Sequence, residues 1–346
     1  MKKRGRGVAA CIYSATVPTA PNPCAAYVQM KEDGSVVIQT GATEIGQGSN
    51  TVLAQIAAEA LGVPFEQVTV YSGDTGVTPY DFGTVSSRLT FTGGNAVLKA
   101  IEEVKQVLLE SASLKLGIPA DRLVISPGKI HDRDDPEKFV STVEASILSH
   151  FVFRKLPIGK AYYYPANTQL NEDLQGDPVA LYYYHATIAE VEVDTETGVV
   201  EVLKLYTAVD CGKAINPMLV EGQVQGGAMQ AVGWALREDS YPYLTQVGGI
   251  PPEFNPDLRP DNFSDYAIAT AKDVPEIHAY IIENPLPEGP FGAKAAGEIV
   301  AISGTPAIVN AIYDAVGVRI FDLPATPEKI LKALKEKERA EMGVER

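Results

Sequence analysis

Apolar positions along the chain follow two periods. Over residues 25–30 and 35–39 they alternate with polar ones around the turn signal Glu32-Asp33-Gly34, which predicts a β-hairpin. A glycine-rich loop over 41–48 comes next, and the period then becomes helical. Val52, Leu53, Ile56, Ala57, Ala60 and Leu61 share one face from about Ser49, with Ser49 or Asn50 as the cap and Gly62 as the stop. Residues 67–71 read as a strand, and a long helix follows over 95–116 with Val97, Leu98, Ile101, Val104 and Leu108 inward. Residues 155–177 keep no period and carry Pro157, Gly159, Pro165 and Gly176, which predicts a linker or a long functional loop. A second hairpin is predicted from 179–194 and 199–206 around Thr195-Glu196-Thr197-Gly198. Helical patterns complete the chain over 221–237, over 299–316 with an interruption at Gly304-Thr305-Pro306, and from Pro327 with Ile330, Leu331 and Leu334 on one face. No internal repeat is present. The mixture predicts an α+β fold, mixed sheets with packed helices, in two subdomains over 1–160 and 161–346.

With 346 residues the chain is long enough for a sizeable core. Acidic residues outnumber basic ones by 44 to 29, a net charge of −15, which argues against binding a nucleic-acid backbone. Cys11, Cys24 and Cys211 stand far apart, so no four-thiolate zinc or iron–sulfur site fits within this chain, and a disulfide framework is not expected. The histidines, His131, His150, His185 and His278, lack the spacing of a helical metal pair. The basic start is not followed by a signal-like apolar stretch, and no uninterrupted run of membrane-spanning length occurs. The expectation is a soluble cytoplasmic protein with no membrane contact.

Candidate chemistry gathers in segments that are individually ambiguous. Gly46-Gln47-Gly48 precedes a helix whose free N–H groups and positive dipole end suit an anion, yet a tight strand-to-helix turn explains the same glycines. No Gly-Lys-Ser/Thr follows, so it is not a nucleotide-binding Walker loop. The hydroxyl-rich Gly83-Thr84-Val85-Ser86-Ser87-Arg88-Leu89-Thr90 and Thr92-Gly93-Gly94 suit a polar, phosphate-bearing cofactor or form an ordinary connection. Val209 to Pro217 leads into Gly222-Gln223-Val224-Gln225-Gly226-Gly227-Ala228-Met229-Gln230. Glycines inside a helix cost about 1 kcal/mol each against alanine, so either close helix packing or a ligand pressed on the backbone has retained them. Gly289 to Gly297 is a small-residue loop that delivers Glu298 to an apolar helix, either as a dipole-matched cap or as a base with raised pKa.

Taken in order, these segments resemble the molybdenum hydroxylases of the xanthine dehydrogenase and aldehyde oxidase family. The series runs through Thr43-Glu44-Ile45-Gly46-Gln47-Gly48, Gly83-Thr84 with Ser86-Ser87-Arg88, and Ile215-Asn216-Pro217. It continues through Gly222-Gln223, Gly226-Gly227, Gly292-Ala293-Lys294 and Gly297-Glu298. The likeness is to the second half of the molybdopterin-binding part, and Arg4-Gly5-Arg6-Gly7 resembles that half's opening. A split medium subunit like that of bacterial nicotinate dehydrogenase is the expectation. The resemblance implies that Gln47 and Gln230 hydrogen-bond around the pterin and its metal. It also implies that Gly46, Gly48, Ser86, Ser87, Gly227 and Ala228 contact the cofactor, and that Glu298 is the general base. The resemblance implies as well that the metal is held by molybdopterin, in its cytosine dinucleotide form, and not by side chains. Leu89 stands where many relatives have a second cofactor-binding serine. Ala15 stands where xanthine-oxidising relatives place a stacking aromatic ring.

The implied reaction is hydroxylation of an N-heteroaromatic (nicotinate- or purine-like) or aldehyde substrate with water as oxygen source. The implied partners are a large molybdopterin subunit, an iron–sulfur subunit and an FAD subunit, with Fe–S clusters and FAD on those partners only. A non-catalytic structural subunit of such a complex is the rival reading. A glycine-rich nucleotide-binding enzyme is opposed by the missing Walker lysine and the absence of an ordered G-x-G-x-x-G unit.

Overall fold

The computed structural model describes residues 1–167, 169–239, 262–263 and 266–343. One sheet is built from β1 (Lys2–Ser14), β9 (Tyr182–Asp194), β10 (Val200–Asp210) and β11 (Glu276–Ile282) in that spatial order. β1 and β9 pair antiparallel, as do β9 and β10, whereas β10 and β11 run parallel. A second sheet has the order β4 (Val68–Ser72), β3 (Val36–Thr40), β2 (Cys24–Met30), β8 (Ile158–Tyr163). A small third sheet is formed by β5 (Leu123–Ser126), β6 (Lys129–Asp132) and β7 (Phe139–Ser141). The α+β expectation therefore holds.

Alternation in the sequence explains the second sheet. Ala26, Val28, Met30, Val36 and Ile38 all point inward and are fully buried. They pack against α1 (Ser49–Leu61) and α2 (Leu89–Leu116) through Leu53, Ala57, Val97, Ile101 and Val104. The short α3 (Thr142–Ile147) closes that core, with Ser141 capping it by accepting from the Glu144 N–H. The first sheet has its own core under α4 (Pro217–Leu236), α6 (Gly304–Val316) and α7 (Pro327–Glu341). A third apolar cluster, including Phe91, Tyr183, Val224 and Ile299, connects the two and lies beside the candidate site.

β1 escaped the periodicity reading because its buried inward residues are Gly5 and Gly7, followed on that face by the half-buried Ala9, Cys11 and Tyr13. A Cβ on Gly5 would sit 2.3 Å from the Ala311 carbonyl, and one on Gly7 would sit 2.2 Å from that of Ala307. Over residues 4–7 the strand alternates arginine outward with glycine inward, so that the backbone of α6 can rest on it. β1 also makes the N-terminal part contribute an edge strand to a sheet otherwise drawn from 182–282. A division into 1–160 and 161–346 therefore has to assign β1 to the second unit.

β8 lies inside the stretch for which the sequence predicts a linker or a long functional loop, and Thr168 of that stretch falls outside the described residues. Gly159, taken as a breaker, is the residue where β8 touches α2: a Cβ there would stand 1.8 Å from the Ala100 carbonyl. The apolar window Ile299–Val316 is long enough to cross a membrane. It consists of two helices, α5 (Ile299–Ile302) and α6, divided at Ser303, and 61% of it is buried in the protein.

Candidate functional site

The loop after β3 is organised by Glu44. Its carboxylate accepts from the Gly46 and Gly48 N–H groups at 2.8 and 2.9 Å and from the Asn50 N–H at 3.1 Å. Burial opposes the charge, but these backbone donors and the Ser49 hydroxyl outweigh it and hold the Glu44 pKa below its ordinary value. Glu44 thus does the capping assigned from sequence to Ser49 or Asn50. The cap position is Gly48, in the left-handed region at φ 89°, and no side chain caps from there. Gln47 is folded onto the loop. Its Oε1 accepts from the Ile45 N–H at 2.7 Å, and its Nε2 donates to the Ser49 hydroxyl at 2.9 Å and to the Thr43 carbonyl at 3.2 Å.

The second loop is held by a buried ion pair. The Arg88 guanidinium donates to both Asp81 oxygens, at 2.8 and 3.0 Å, and to the Gly83, Asn22 and Pro23 carbonyls. So anchored, the chain passes through two successive left-handed residues, Ser86 and Ser87, at φ 52° and 51°. Non-glycine residues adopt that region only when their surroundings fix it. The two serines then part. Ser86 is buried and donates to the Ser14 carbonyl at 3.2 Å. Ser87 donates its hydroxyl proton to the Glu298 carboxylate and accepts from the Glu298 N–H at 2.9 Å. Thr84 ties this loop to the first by donating to the Thr43 carbonyl at 2.7 Å.

Asn216 caps α4 by accepting from the Leu219 N–H at 3.1 Å, and Pro217 fills the first helical position. The helix therefore starts before residue 221. Gly227 is explained by packing, since a Cβ there would lie 2.4 Å from a Val300 methyl. Gly226 is different: its Cβ position is open space within 4 Å. The loop before Glu298 is pinned to the end of β10 by the buried pair Lys294–Asp210 at 2.6 Å and by a Gly212–Ala293 bridge. Gly297 admits Ser87, whose hydroxyl would be 2.5 Å from any Cβ at 297. Glu298 precedes α5 without a side-chain cap bond, so the capping alternative has no contact behind it.

These loops enclose a cavity of about 460 Å³ lined by Gln47, Ser87, Gly226, Gly227, Gln230 and Glu298, among others. Of the residues singled out from sequence, Gly46, Gly48, Ser86 and Ala228 do not line it. Gly48 instead lets the loop approach α4, a Cβ there being 2.7 Å from Leu219, and Ala228 is buried in the core of the first sheet. Glu298 and Gln230 are exposed in this chain, which leaves the cavity open on their side. Sequence reasoning missed Glu44 and the Asp81–Arg88 pair. Their partners are backbone groups or lie in other segments, so no spacing announces them.

A model of the molybdopterin cofactor-binding domain matches residues 1–275. The chain is 32% identical over 335 residues to the xanthine dehydrogenase molybdenum-binding subunit of Escherichia coli O157:H7, covering 95% of this chain and 42% of that protein. It is 34% identical over 313 residues to the nicotine 6-hydroxylase large subunit of Paenarthrobacter nicotinovorans, covering 90% and 36%. Among solved structures, quinoline 2-oxidoreductase from Pseudomonas putida 86 superposes with a TM-score of 0.85 at 29% identity, over 97% of this chain and 42% of that one. The chain spans about two-fifths of the length of these relatives.

Proposed function

Since the chain belongs to the molybdopterin cofactor-binding domain family, we propose that it is the molybdopterin-binding subunit of a multi-subunit molybdenum hydroxylase. In this reading it hydroxylates an N-heteroaromatic or aldehyde substrate with water as oxygen source. The observation that carries the reading is the convergence of Gln47, Ser87, Gln230 and Glu298, from far-apart segments, on one cavity.

The donor set fits the group. Neutral amides and hydroxyls face the cavity, Lys213 stands at its wall in an ion pair with Glu283, and Gly226 leaves open space where a Cβ would stand. Such a lining suits a polar, phosphate-bearing pterin. Among the described residues no group of three His, Cys, Asp or Glu side chains gathers to hold a metal, so in this proposal molybdenum comes with the pterin. When bound, the cofactor supplies the two-electron redox chemistry.

What remains for the protein is position and proton transfer. Gln47 and Gln230 hold the cofactor by their amides. For Gln47 this means exchanging bonds that it now makes within its own loop. Ser87, bonded to Glu298 at both carboxylate and N–H, fixes the carboxylate's direction. Glu298 takes the proton of the attacking oxygen, which raises that oxygen's nucleophilicity towards an electron-poor ring or aldehyde carbon. The cytosine dinucleotide form of the cofactor, iron–sulfur and FAD partners, and cytoplasmic residence belong to the same proposal.

The test is cofactor retention in the complex purified from its host. Gln47→Ala and Gln230→Ala each remove amide hydrogen bonds, of which one costs about 1–3 kcal/mol when the partner is left unpaired. Molybdenum and pterin per complex are expected to fall in both variants while the complex stays assembled. Full cofactor content with unchanged turnover in both would return these residues to the structure of their own loops.

A further inference from the structure

The outer face of the first sheet, opposite α4 and α6, changes character in mid-strand. At one end it is an ion-pair ladder: Lys2 and Arg4 meet Glu192 at 2.7 and 3.0 Å, Arg6 meets Glu190 at 2.8 Å, and Lys204 meets Glu276 at 2.7 Å. Arg6, Glu190, Lys204 and Glu276 are in register across all strands of the sheet, so this row is charged from edge to edge. The next outward row is Val8, Ile188, Tyr206 and His278, and the following one is Ala10, Ala186, Ala208 and Tyr280. Ile12 and Tyr184 pair beyond them.

Nothing among the described residues covers this apolar half. Val8 is 62% exposed, Ile12 54%, Tyr184 55%, Ile188 45% and Tyr280 50%. Scattered surface leucines need no explanation, but a contiguous patch crossing several strands does. The alanine row makes a shallow shelf between bulkier rows, a shape that admits a packed element and not only solvent. The apolar end is also the end nearest the site. Ser14, which ends β1, accepts from Ser86, and β10 ends at Asp210, the partner of Lys294 in the Glu298 loop.

We infer that this apolar half-face is the docking surface for the polypeptide corresponding to the part of the relatives that this chain does not match. The inference rests on the proposed function above. The argument for that occupant is length and continuity. The relatives match this chain along 90–95% of it, yet extend well beyond it, the chain covering only 36–42% of them. Glu298 and Gln230, which line the cavity, are exposed, and the strands that carry the half-face end at loops beside it through the Ser14–Ser86 and Asp210–Lys294 contacts. A body that packs there and reaches past those strand ends buries the patch and supplies a further wall to the cavity. The ion-pair ladder marks where the interface stops, because desolvating that many paired charges is unfavourable.

Site-specific photocrosslinking in the native host tests this. p-Benzoylphenylalanine replaces Tyr184 in one strain, Tyr280 in a second and, as a control, Glu192 in a third. Linked peptides are then identified by mass spectrometry. Positions 184 and 280 are expected to link to sequence homologous to the unmatched portion of the relatives, and position 192 is not. In a second arm, Tyr184→Glu with Ile188→Glu is expected to weaken capture of that polypeptide at least tenfold, with the isolated chain's melting temperature unchanged. Links from 184 and 280 to a second copy of this chain, to an iron–sulfur or flavin subunit, or to nothing in an assembled complex would overturn the inference. Molybdenum and pterin are assayed in the same preparations. A loaded complex with the wrong links sinks only the docking surface, whereas correct links in a complex devoid of pterin sink the proposed function.

Discussion

At the level of single residues the site is a set of mutual constraints, and Glu298 shows how they act. Gly297 has no side chain because Ser87 occupies that space, and Ser87 arrives there because Arg88 and Asp81 hold a left-handed turn. Glu298→Gln keeps the size and one acceptor but cannot take a proton at neutral pH. The expected result in the assembled enzyme is a fall of about two to four orders of magnitude in the rate of reduction by substrate, read by stopped flow. Molybdenum content and melting temperature should stay near wild type, because no cap bond is lost. A variant reduced at the wild-type rate would remove Glu298 from the chemistry. The loop motifs around Gln47, Ser87 and Glu298 were legible in the sequence as glycine and hydroxyl clusters, and their order carried the family resemblance. The roles of Gly48, Ser86 and Gly227 were not legible. Each is decided by one neighbouring atom from another element, and a linear pattern holds no trace of that atom.

At the level of elements, strands and helices with a clean period were readable, and those built on small residues were not. The hairpin of β2 and β3 and the long β9–β10 pair follow their alternation. β1 hid behind inward glycines, and α2 and α4 began earlier than expected. Thr92-Gly93-Gly94 reads as a loop but is a buried helical turn. The Asn216-Pro217 pair is a sound start signal that the glycines after it obscured. Where β9, β10 and the α5–α6 break meet, His185 is buried between hydroxyls. Its ring nitrogens contact Thr207 at 2.6 Å and Ser303 at 2.7 Å, and Thr187 contacts Ser303 at 2.8 Å. Burial lowers the His185 pKa to about 4. The folded state therefore keeps this ring neutral where the unfolded chain protonates it. Stability from this source is complete above the unfolded value of 6.5, declines as pH falls from there to about 4, and is then level. The span corresponds to about 3 kcal/mol. Denaturation midpoints measured from pH 7 to pH 4 should fall in the wild type, and His185→Gln should flatten that fall. An identical slope in both proteins would show that His185 does not titrate across this window.

At the level of the whole molecule, the chain joins two well-filled cores to a cavity that the proposed function leaves incomplete. Fully buried side chains fill a core under each of the two sheets. Its cavity is nevertheless lined by the exposed Glu298, the proposed base, and its outer sheet face is apolar towards the strand ends that hold the loops of the site. In the proposed reaction electrons also need an exit. Cys11, Cys24 and Cys211 are free thiols far apart in sequence, and burial raises the pKa of each, so they are poor ligands for a relay cluster. Both deficits point to a division of labour in which other polypeptides close the pocket and carry the electrons away. Purification from the host under gentle conditions is therefore expected to give this chain with molybdenum, iron and flavin in fixed ratio across a sedimentation boundary. After the complex is dissociated, iron and flavin should leave with other polypeptides. The separated chain should keep its melting transition yet show no substrate-dependent reduction, even with an artificial electron acceptor that bypasses any relay. Recombining the fractions should restore reduction. Turnover by the separated chain at the rate of the complex would mean that the open cavity is already a whole active site, and the division of labour would have to be given up.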